Sequence, residues 1–179
     1  MSIFNILKNY YYDVKYISNR IAYGRKLGAK IGENCKILVN PRRAFGSEPY
    51  LITIGNHVEI TDGVRFITHD GGAWVSRSFK PNAAVYGKIH IGNNVFIGLN
   101  SIILPNVTIG DNCVVGAGSI VTKSISPNSV VAGVPAKYIK SYDEYIKSIC
   151  ENSVDILNFT YDEKKKFLIK KYPEWFEDR

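Results

Sequence analysis

Isoleucine and valine recur at every sixth position between Ile91 and Ser126, with polar residues and glycines between them. Glycine follows the aliphatic residue in four of the six units, and the fifth position is mostly small. The units begin at Ile91, Ile97, Ile103, Ile109, Val115 and Val121. This period matches neither the turn of an amphipathic helix nor the two-residue alternation of a flat strand. It is typical of a parallel β-helix, in which about three units close a triangular coil of roughly 18 residues.

The repeat also predicts which residues form the core. Ile91 is expected to point inward and stack on Ile109, and Ile97 on Val115, one coil away. The small fifth residue should fill the corner, and glycine at the second position should permit the backbone turn. Because each coil pairs with its neighbours, no coil would be stable alone. A flat antiparallel meander is the alternative, and the general rule for parallel crossovers would make the coils right-handed.

Shorter copies of the repeat precede this ladder. Units begin at Ile31, Ile54 and Ile60, and residues 40–50 interrupt the first coil. Phe66 and Ile91 are 25 residues apart, which is not a multiple of six. The spacing therefore predicts a β-helix domain over residues 31–140 with a loop over residues 70–88 that leaves the coil. Loops on a rigid scaffold are where binding residues concentrate.

Helical patterns flank the coil. Apolar residues spaced by three and four predict one helix over residues 3–21, within an N-terminal segment 1–30. We expect its apolar stripe to pack on the β-helix or on a neighbouring subunit; contact with a membrane surface is the secondary interpretation. Capping boxes at Ser141–Glu144 and Thr160–Glu163 predict two helices in a C-terminal segment 141–179.

Composition narrows the class of protein. The 179 residues are 45% hydrophobic and 22% charged, which suits a globular chain with a core. Without a signal-peptide pattern at Met1–Tyr12 or a membrane-spanning apolar run, we expect a cytoplasmic protein. The net charge of +7 favours a phosphate-bearing ligand or simply a solvated surface, and no nucleic-acid motif accompanies it. Cys35 and Cys113 stand at the fifth repeat position, so we expect core residues there and no metal site; Cys150 falls in a helical segment.

Residues 54–140 resemble the xenobiotic- and maltose-type branch of the hexapeptide-repeat acetyltransferases. The matching stretches are Ile54–Val58, Thr68–His69, Asn94–Gly98, Gly116–Lys123 and Ala132–Lys137. Phe45–Tyr50 and Thr68–Trp74 resemble members that acetylate polysaccharide building blocks. The resemblance implies an all-β core, a left-handed parallel β-helix, acetyl-CoA as co-substrate and a homotrimer with coenzyme A between subunits.

The same resemblance implies that His69 is the general base. A sugar hydroxyl is a poor nucleophile, and imidazole titrates near neutral pH, so it can accept the hydroxyl proton during attack on the thioester. No enzyme nucleophile is then required. Asp70, Asp62 and Glu48 are candidates to orient the imidazole, and the sequence does not choose among them. His57, at the outward fourth repeat position, and His90 are expected to be surface residues.

Further positions are implied by matching the family's motifs residue by residue. Gly98 and Leu99 would lie near the thioester, with a backbone N–H there as the oxyanion donor. The cofactor-binding set is Phe96, Gly98, Leu99, Ala117, Thr122, Lys123, Lys137 and Lys140, the lysines meeting phosphates. Several relatives have Trp at the position of Phe96, which leaves acceptor preference open. The acceptor-binding set is Glu48, Trp74, Arg77 and Tyr86.

The leading hypothesis is an acetyl-CoA-dependent O-acetyltransferase acting on a sugar or a surface-polysaccharide precursor. An amino-sugar N-acetyltransferase on the same fold is the first alternative. A non-catalytic hexapeptide scaffold is another. A γ-type carbonic anhydrase is the last, and it would need three histidines converging on zinc. The identity of the acceptor and the position acetylated do not follow from the sequence.

Overall fold

The computed structural model describes residues 3–176, apart from the side chain of Asn5. The expected terminal segments reach residues 1–2 and 177–179, which lie outside the described residues. The chain divides into two compact units, Met1–Tyr145 and Ile146–Arg179. The expected division into segments 1–30, 31–140 and 141–179 stays a prediction. The first unit contains the repeats and the candidate site.

Short strands of two to five residues build three sheets in the first unit. Sheet A contains β1 (Lys30–Ile31), β3 (Ile52–Ile54), β6 (Ile89–Ile91) and β9 (Thr108–Ile109). Sheet B contains β2 (Lys36–Ile37), β4 (Val58–Ile60), β7 (Val95–Ile97), β10 (Cys113–Val115), β12 (Ser129–Ala132) and β13 (Lys137–Ser141). Sheet C contains β5 (Arg65–Phe66), β8 (Ile102–Ile103) and β11 (Ile120–Val121). From β3 to β11, successive strands run through sheets A, B and C in turn, as a three-sided coil requires.

The strand register confirms the predicted stacking. Ile91 pairs with Ile109 and Ile97 with Val115, all in parallel, and all four side chains are fully buried. Only the pairing of β12 with β13 is antiparallel among the described strands. The core is therefore a column of branched aliphatic side chains, one layer per coil, whose burial drives folding.

The corners correct the expected role of glycine. Asparagine or histidine at the fourth repeat position has φ between 54° and 64°, in the left-handed region. These residues are Asn34, His57, Asn94, Asn100, Asn106 and Asn112, and Asn128 has the same conformation. Glycine at the second position is needed for a different reason: a Cβ at Gly98 would lie 2.6 Å from the backbone nitrogen of Ala117. Adjacent coils approach too closely there for any side chain.

The corner side chains also bind one another. Asn94 Nδ2 donates to Asn112 Oδ1 at 2.8 Å, and Asn112 Nδ2 donates to Asn128 Oδ1 at 2.8 Å. His57 Nδ1 lies 2.8 Å from Asn94 Oδ1, so His57 ends an asparagine ladder along the outside of the coil. His90 is exposed on β6, as expected.

The N-terminal segment contains two helices instead of the single predicted one. Helix α1 spans Ile3–Lys15, and Asn19 caps α2 (Arg20–Leu27) by accepting a hydrogen bond from the backbone of Ala22. The polar face of α1 faces the rest of the chain, because Asp13 binds Arg42 at 2.8 Å and Tyr23 at 2.9 Å. The apolar stripe is exposed, so its expected packing on the β-helix is wrong except at its last residue, which contacts the core. The stripe is Ile3, Leu7, Tyr10, Val14, Ile17 and Ile21.

Two insertions leave the coil. Ile31 pairs with Ile54 across 23 residues and Ile54 with Ile91 across 37, whereas complete coils span 18. The first insertion contains α3 (Pro41–Ala44) and a 3₁₀ turn at Pro49–Leu51. The second contains a 3₁₀ helix at Gly71–Ser78.

The remaining elements follow the sequence patterns. Helices α4 (Tyr142–Asn152) and α5 (Tyr161–Lys171) both begin with the predicted capping boxes. Cys113 is buried, Cys35 packs against the core and Cys150 is exposed on α4. Among residues 3–176, none of the helices is long and apolar enough to cross a membrane.

Candidate active site

The two insertions bring Glu48 and His69 together across 21 residues of sequence. Phe45 and Phe66 pack edge to face, with ring centroids 5.5 Å apart and both side chains buried, which fixes the first insertion against sheet C. Glu48 Oε2 then lies 2.9 Å from His69 Nδ1. Thr68, itself buried, donates its hydroxyl to the same oxygen at 2.7 Å. The sequence motif contains Thr68 beside His69, but nothing in the sequence indicates that Thr68 holds Glu48.

This arrangement favours the ionised form of Glu48. The hydrogen bond from Thr68 is the largest cause holding the pKa of Glu48 below its ordinary value, and His69 contributes further. Glu48 therefore remains a carboxylate over the range in which an imidazole titrates. A carboxylate only accepts hydrogen bonds, so the proton of a neutral His69 lies on Nδ1. Nε2 then carries the lone pair, and it has no protein partner within the described residues.

His69 faces a cleft of about 280 Å³ between the insertions. Arg77 and Tyr86 line this cleft together with Ser47 and Glu48, and their expected contact with an acceptor stays a prediction. The ring of Tyr86 meets His69 edge to face, with centroids 6.3 Å apart. The side chain of Trp74 is 70% exposed and does not line the cleft, so the structure gives it no contact with this site.

The base of the second insertion is closed by backbone pairing. Asp70 donates its N–H to the carbonyl of Val85 at 2.9 Å, and Gly87 donates to the carbonyl of Thr68 at 2.8 Å. The carboxylate of Asp70 accepts from the N–H of Gly72 at 2.8 Å and caps the 3₁₀ helix. Of the three candidate carboxylates, Glu48 is therefore the one that contacts the imidazole, whereas Asp70 caps the loop. Asp62 lines a different cavity.

Three of the expected cofactor residues, Gly98, Leu99 and Ala117, lie at or beside the corner between sheets B and C. We call this the BC corner; it consists of Asp62–Gly63, Leu99–Asn100 and Ala117–Gly118 on successive coils. Gly98 donates its N–H to Val115 at 2.8 Å, so it cannot be the oxyanion donor. The N–H groups of Leu99 and Ala117 have no protein partner among residues 3–176. Both residues are exposed, as Phe96 is.

The cationic residues expected near phosphates lie at the C-terminal end of the coil. Thr122, Lys123 and Lys137 are exposed, and Lys140 is half-buried on β13. None of the expected cofactor residues lines the His69 cleft. His69 comes shortly after strand β5 of sheet C, whereas Leu99 comes shortly before strand β8 of the same sheet. Because β5 and β8 are parallel, the two residues of one chain lie at opposite ends of these strands.

Comparisons with known proteins identify the family. A family described as hexapeptide repeat of succinyl-transferase matches residues 88–123. The chain is 57% identical over 150 residues to Protein CapG of Staphylococcus aureus, covering 84% of this chain and 87% of that protein. It is 46% identical over 98 residues to the galactoside O-acetyltransferase of Escherichia coli, covering 54% of this chain but only 47% of the relative. The chain belongs to the hexapeptide-repeat acetyltransferase family.

Solved structures support the fold of this acetyltransferase. A hexapeptide-repeat-containing acetyltransferase from Vibrio cholerae is 26% identical with a TM-score of 0.54, over 70% of this chain and 80% of that one. Its complex with acetyl coenzyme A is 28% identical with a TM-score of 0.51, over 64% of this chain and 61% of that one. The mostly parallel sheets are those of the left-handed β-helix family.

Proposed function

We propose that this acetyltransferase transfers the acetyl group of acetyl-CoA to a hydroxyl of a sugar or surface-polysaccharide precursor, with His69 as general base. The observation that carries the proposal is the Glu48–His69 pair, which leaves Nε2 open to a cleft beside the coil. The likeness to a galactoside O-acetyltransferase supports a sugar acceptor.

The chain's residues can perform each proton transfer. Nε2 of His69 accepts the hydroxyl proton as the sugar oxygen attacks the thioester carbonyl, and the imidazolium so formed lies against the Glu48 carboxylate. The N–H of Leu99, supplied by a neighbouring subunit, would donate to the carbonyl oxygen as negative charge develops on it. The imidazolium returns the proton to the departing sulfur, which leaves an acetyl ester and the free thiol.

The BC corner and the C-terminal end of the coil together offer the kinds of group that coenzyme A requires. The open N–H of Ala117 would bond the pantetheine arm, and Lys123, Lys137 and Lys140 would meet the phosphates. When bound, the co-substrate supplies the activated acetyl group.

We propose that the enzyme works as a homotrimer. His69 and Leu99 of one chain lie at opposite ends of sheet C, so a complete site needs the BC corner of a neighbouring subunit. Light scattering should give three 20.1 kDa chains. An active monomer would contradict the proposal.

The test is an acceptor screen that follows release of the free coenzyme A thiol. His69→Ala should lose roughly 10²–10⁴-fold in turnover while binding coenzyme A as before. His90→Ala, which removes an exposed histidine from β6, is the matched control and should keep full activity. Mild alkali should release the acetyl group as an ester; an alkali-stable product would show transfer to an amine. Undiminished turnover in His69→Ala would refute the assignment.

A further inference from the structure

A second cavity, of about 360 Å³, opens beside the BC corner at the first two coils. Its charged lining consists of Arg20, Arg43, Arg65 and Asp62. Three guanidinium groups face one carboxylate, which leaves two positive charges in excess. The cavity is separate from the His69 cleft, because the residues lining the two do not overlap.

The arginines keep hydrogen-bond donors available. Arg20 donates one N–H to the carbonyl of Leu38, and Arg65 donates one to the carbonyl of Arg43. Each guanidinium has five donors, so several remain on both. The side chain of Arg43 makes no hydrogen bond or ion pair within the described residues. Its neighbour Arg42 differs, because its guanidinium is bound to Asp13 at 2.8 Å.

The position of the cavity relates it to the proposed acetyl transfer. The N–H of Asn100 donates to the carbonyl of Asp62 at 3.0 Å, and the N–H of Gly118 donates to that of Leu99 at 2.7 Å. Asp62, Leu99 and Ala117 therefore follow one another along the BC corner. Neighbouring strands are about 4.8 Å apart, so the cavity begins about one coil from Leu99. It lies on the side away from Ala117 and the lysines.

We propose that this arginine cavity binds a pyrophosphate group carried by the acceptor sugar. This inference rests on the proposed function, because Leu99 marks the reacting carbonyl only if acetyl-CoA lies along the BC corner. With the cofactor on the Ala117 side, the acceptor must approach from the other side, where the arginines are. Planar guanidinium groups bind phosphate oxygens in pairs, and Arg43 and Arg65 are both exposed to do so. An acceptor linked to a nucleotide or to an isoprenoid would supply the same pyrophosphate.

Calorimetric titration with inorganic pyrophosphate tests the site without any acetyl transfer. The protein is first saturated with coenzyme A, so that the lysines proposed for its phosphates are occupied. Arg43→Gln/Arg65→Gln should raise the Kd for pyrophosphate at least about tenfold. Lys164→Gln/Lys165→Gln removes two exposed charges from α5 and should leave that Kd unchanged. Circular dichroism melting checks that both variants remain folded.

The same titration with UDP and with geranyl pyrophosphate separates the two sources. Tighter binding of UDP than of pyrophosphate indicates a nucleotide-linked acceptor, and tighter binding of geranyl pyrophosphate indicates an isoprenoid-linked one. Equal affinities indicate that the cavity binds the pyrophosphate alone. Absence of pyrophosphate binding, or equal binding by wild type and the arginine variant, overturns the inference. Failure of coenzyme A to bind in the first step would instead overturn the proposed function.

Discussion

Replacement of Glu48 by glutamine tests the central pair of the candidate site. The carboxylate accepts from Thr68 at 2.7 Å and faces Nδ1 of His69 at 2.9 Å, and its side chain is only 12% exposed. A hydrogen bond to a charged group contributes roughly 1.5–3 kcal/mol and a neutral one roughly 0.5–1.5 kcal/mol. Replacing the charged acceptor by a neutral amide therefore loses about 1–1.5 kcal/mol of hydrogen-bond energy, which corresponds to roughly a tenfold lower kcat.

The amide can lower the rate further. It can present either its oxygen or its NH₂ group to Nδ1, so it does not enforce the tautomer that leaves Nε2 basic. We therefore expect Glu48→Gln to reduce kcat by about tenfold to a hundredfold, less than His69→Ala does. Because Glu48 acts through His69, the double variant should be no slower than His69→Ala alone. Asp70→Asn is the matched control, since asparagine also caps a helix and activity should stay within about threefold.

The assay is steady-state thiol release at saturating acetyl-CoA and acceptor. A wild-type kcat in Glu48→Gln would refute the positioning role. A double variant whose loss equals the product of the two single losses would show that Glu48 acts independently of His69.

Stability gives a second readout, because a lowered pKa means that ionised Glu48 favours the folded state. That contribution is present above the ordinary carboxyl value of 4.5 and lost as the pH falls through the lower folded value. The Tm difference between wild type and variant should therefore shrink on acidification.

Three further outcomes are expected. Lys137→Glu/Lys140→Glu should weaken the binding of coenzyme A, measured by calorimetry, much more than the binding of a phosphate-free pantetheine thioester. Equal weakening of both ligands would show that these lysines do not contact the phosphates. Tyr86→Ala should raise the acceptor KM roughly tenfold, about 1.4 kcal/mol, and leave the acetyl-CoA KM within about twofold in steady-state kinetics. If the acetyl-CoA KM rises and the acceptor KM does not, the cleft binds the cofactor rather than the acceptor. Asn112→Ala should lower the free energy of unfolding by about 2–3 kcal/mol through the lost ladder bonds and its φ of 55°. Asn112→Gly should cost less because glycine adopts that φ freely; equal losses in denaturant unfolding would contradict this reasoning.

The regular coil could be predicted from the sequence because every unit meets the same physical demand. A branched aliphatic residue must point inward on each strand, and Ile91 and Ile97 satisfy this without reference to distant residues. The reason for glycine at the second position could not be predicted in the same way. Whether Gly98 needs a positive φ or a close contact depends on Ala117, which lies on the next coil.

The candidate site could be predicted only in part for the same reason. His69 stands in a recognisable motif, but three carboxylates remained candidates to hold it. The choice depends on how residues 40–50 fold back, and Phe45 decides that by packing on Phe66. The break between α1 and α2 was missed because the apolar stripe continues through it, while the Asn19 cap and the Asp13–Arg42 pair favour two helices.

The proposed function divides the chemistry between the coil and its insertions. Positions on the coil have little freedom, since Gly98 cannot carry a side chain and its N–H is already bonded to the next coil. What the coil offers is a row of backbone groups at a fixed spacing, which suits a ligand of constant shape such as coenzyme A. Glu48 and Arg77 stand on insertions whose length does not affect the stacking of complete coils. The proposed function therefore predicts that changes in the insertions alter the acceptor sugar, while coil stacking keeps the groups proposed for coenzyme A in place.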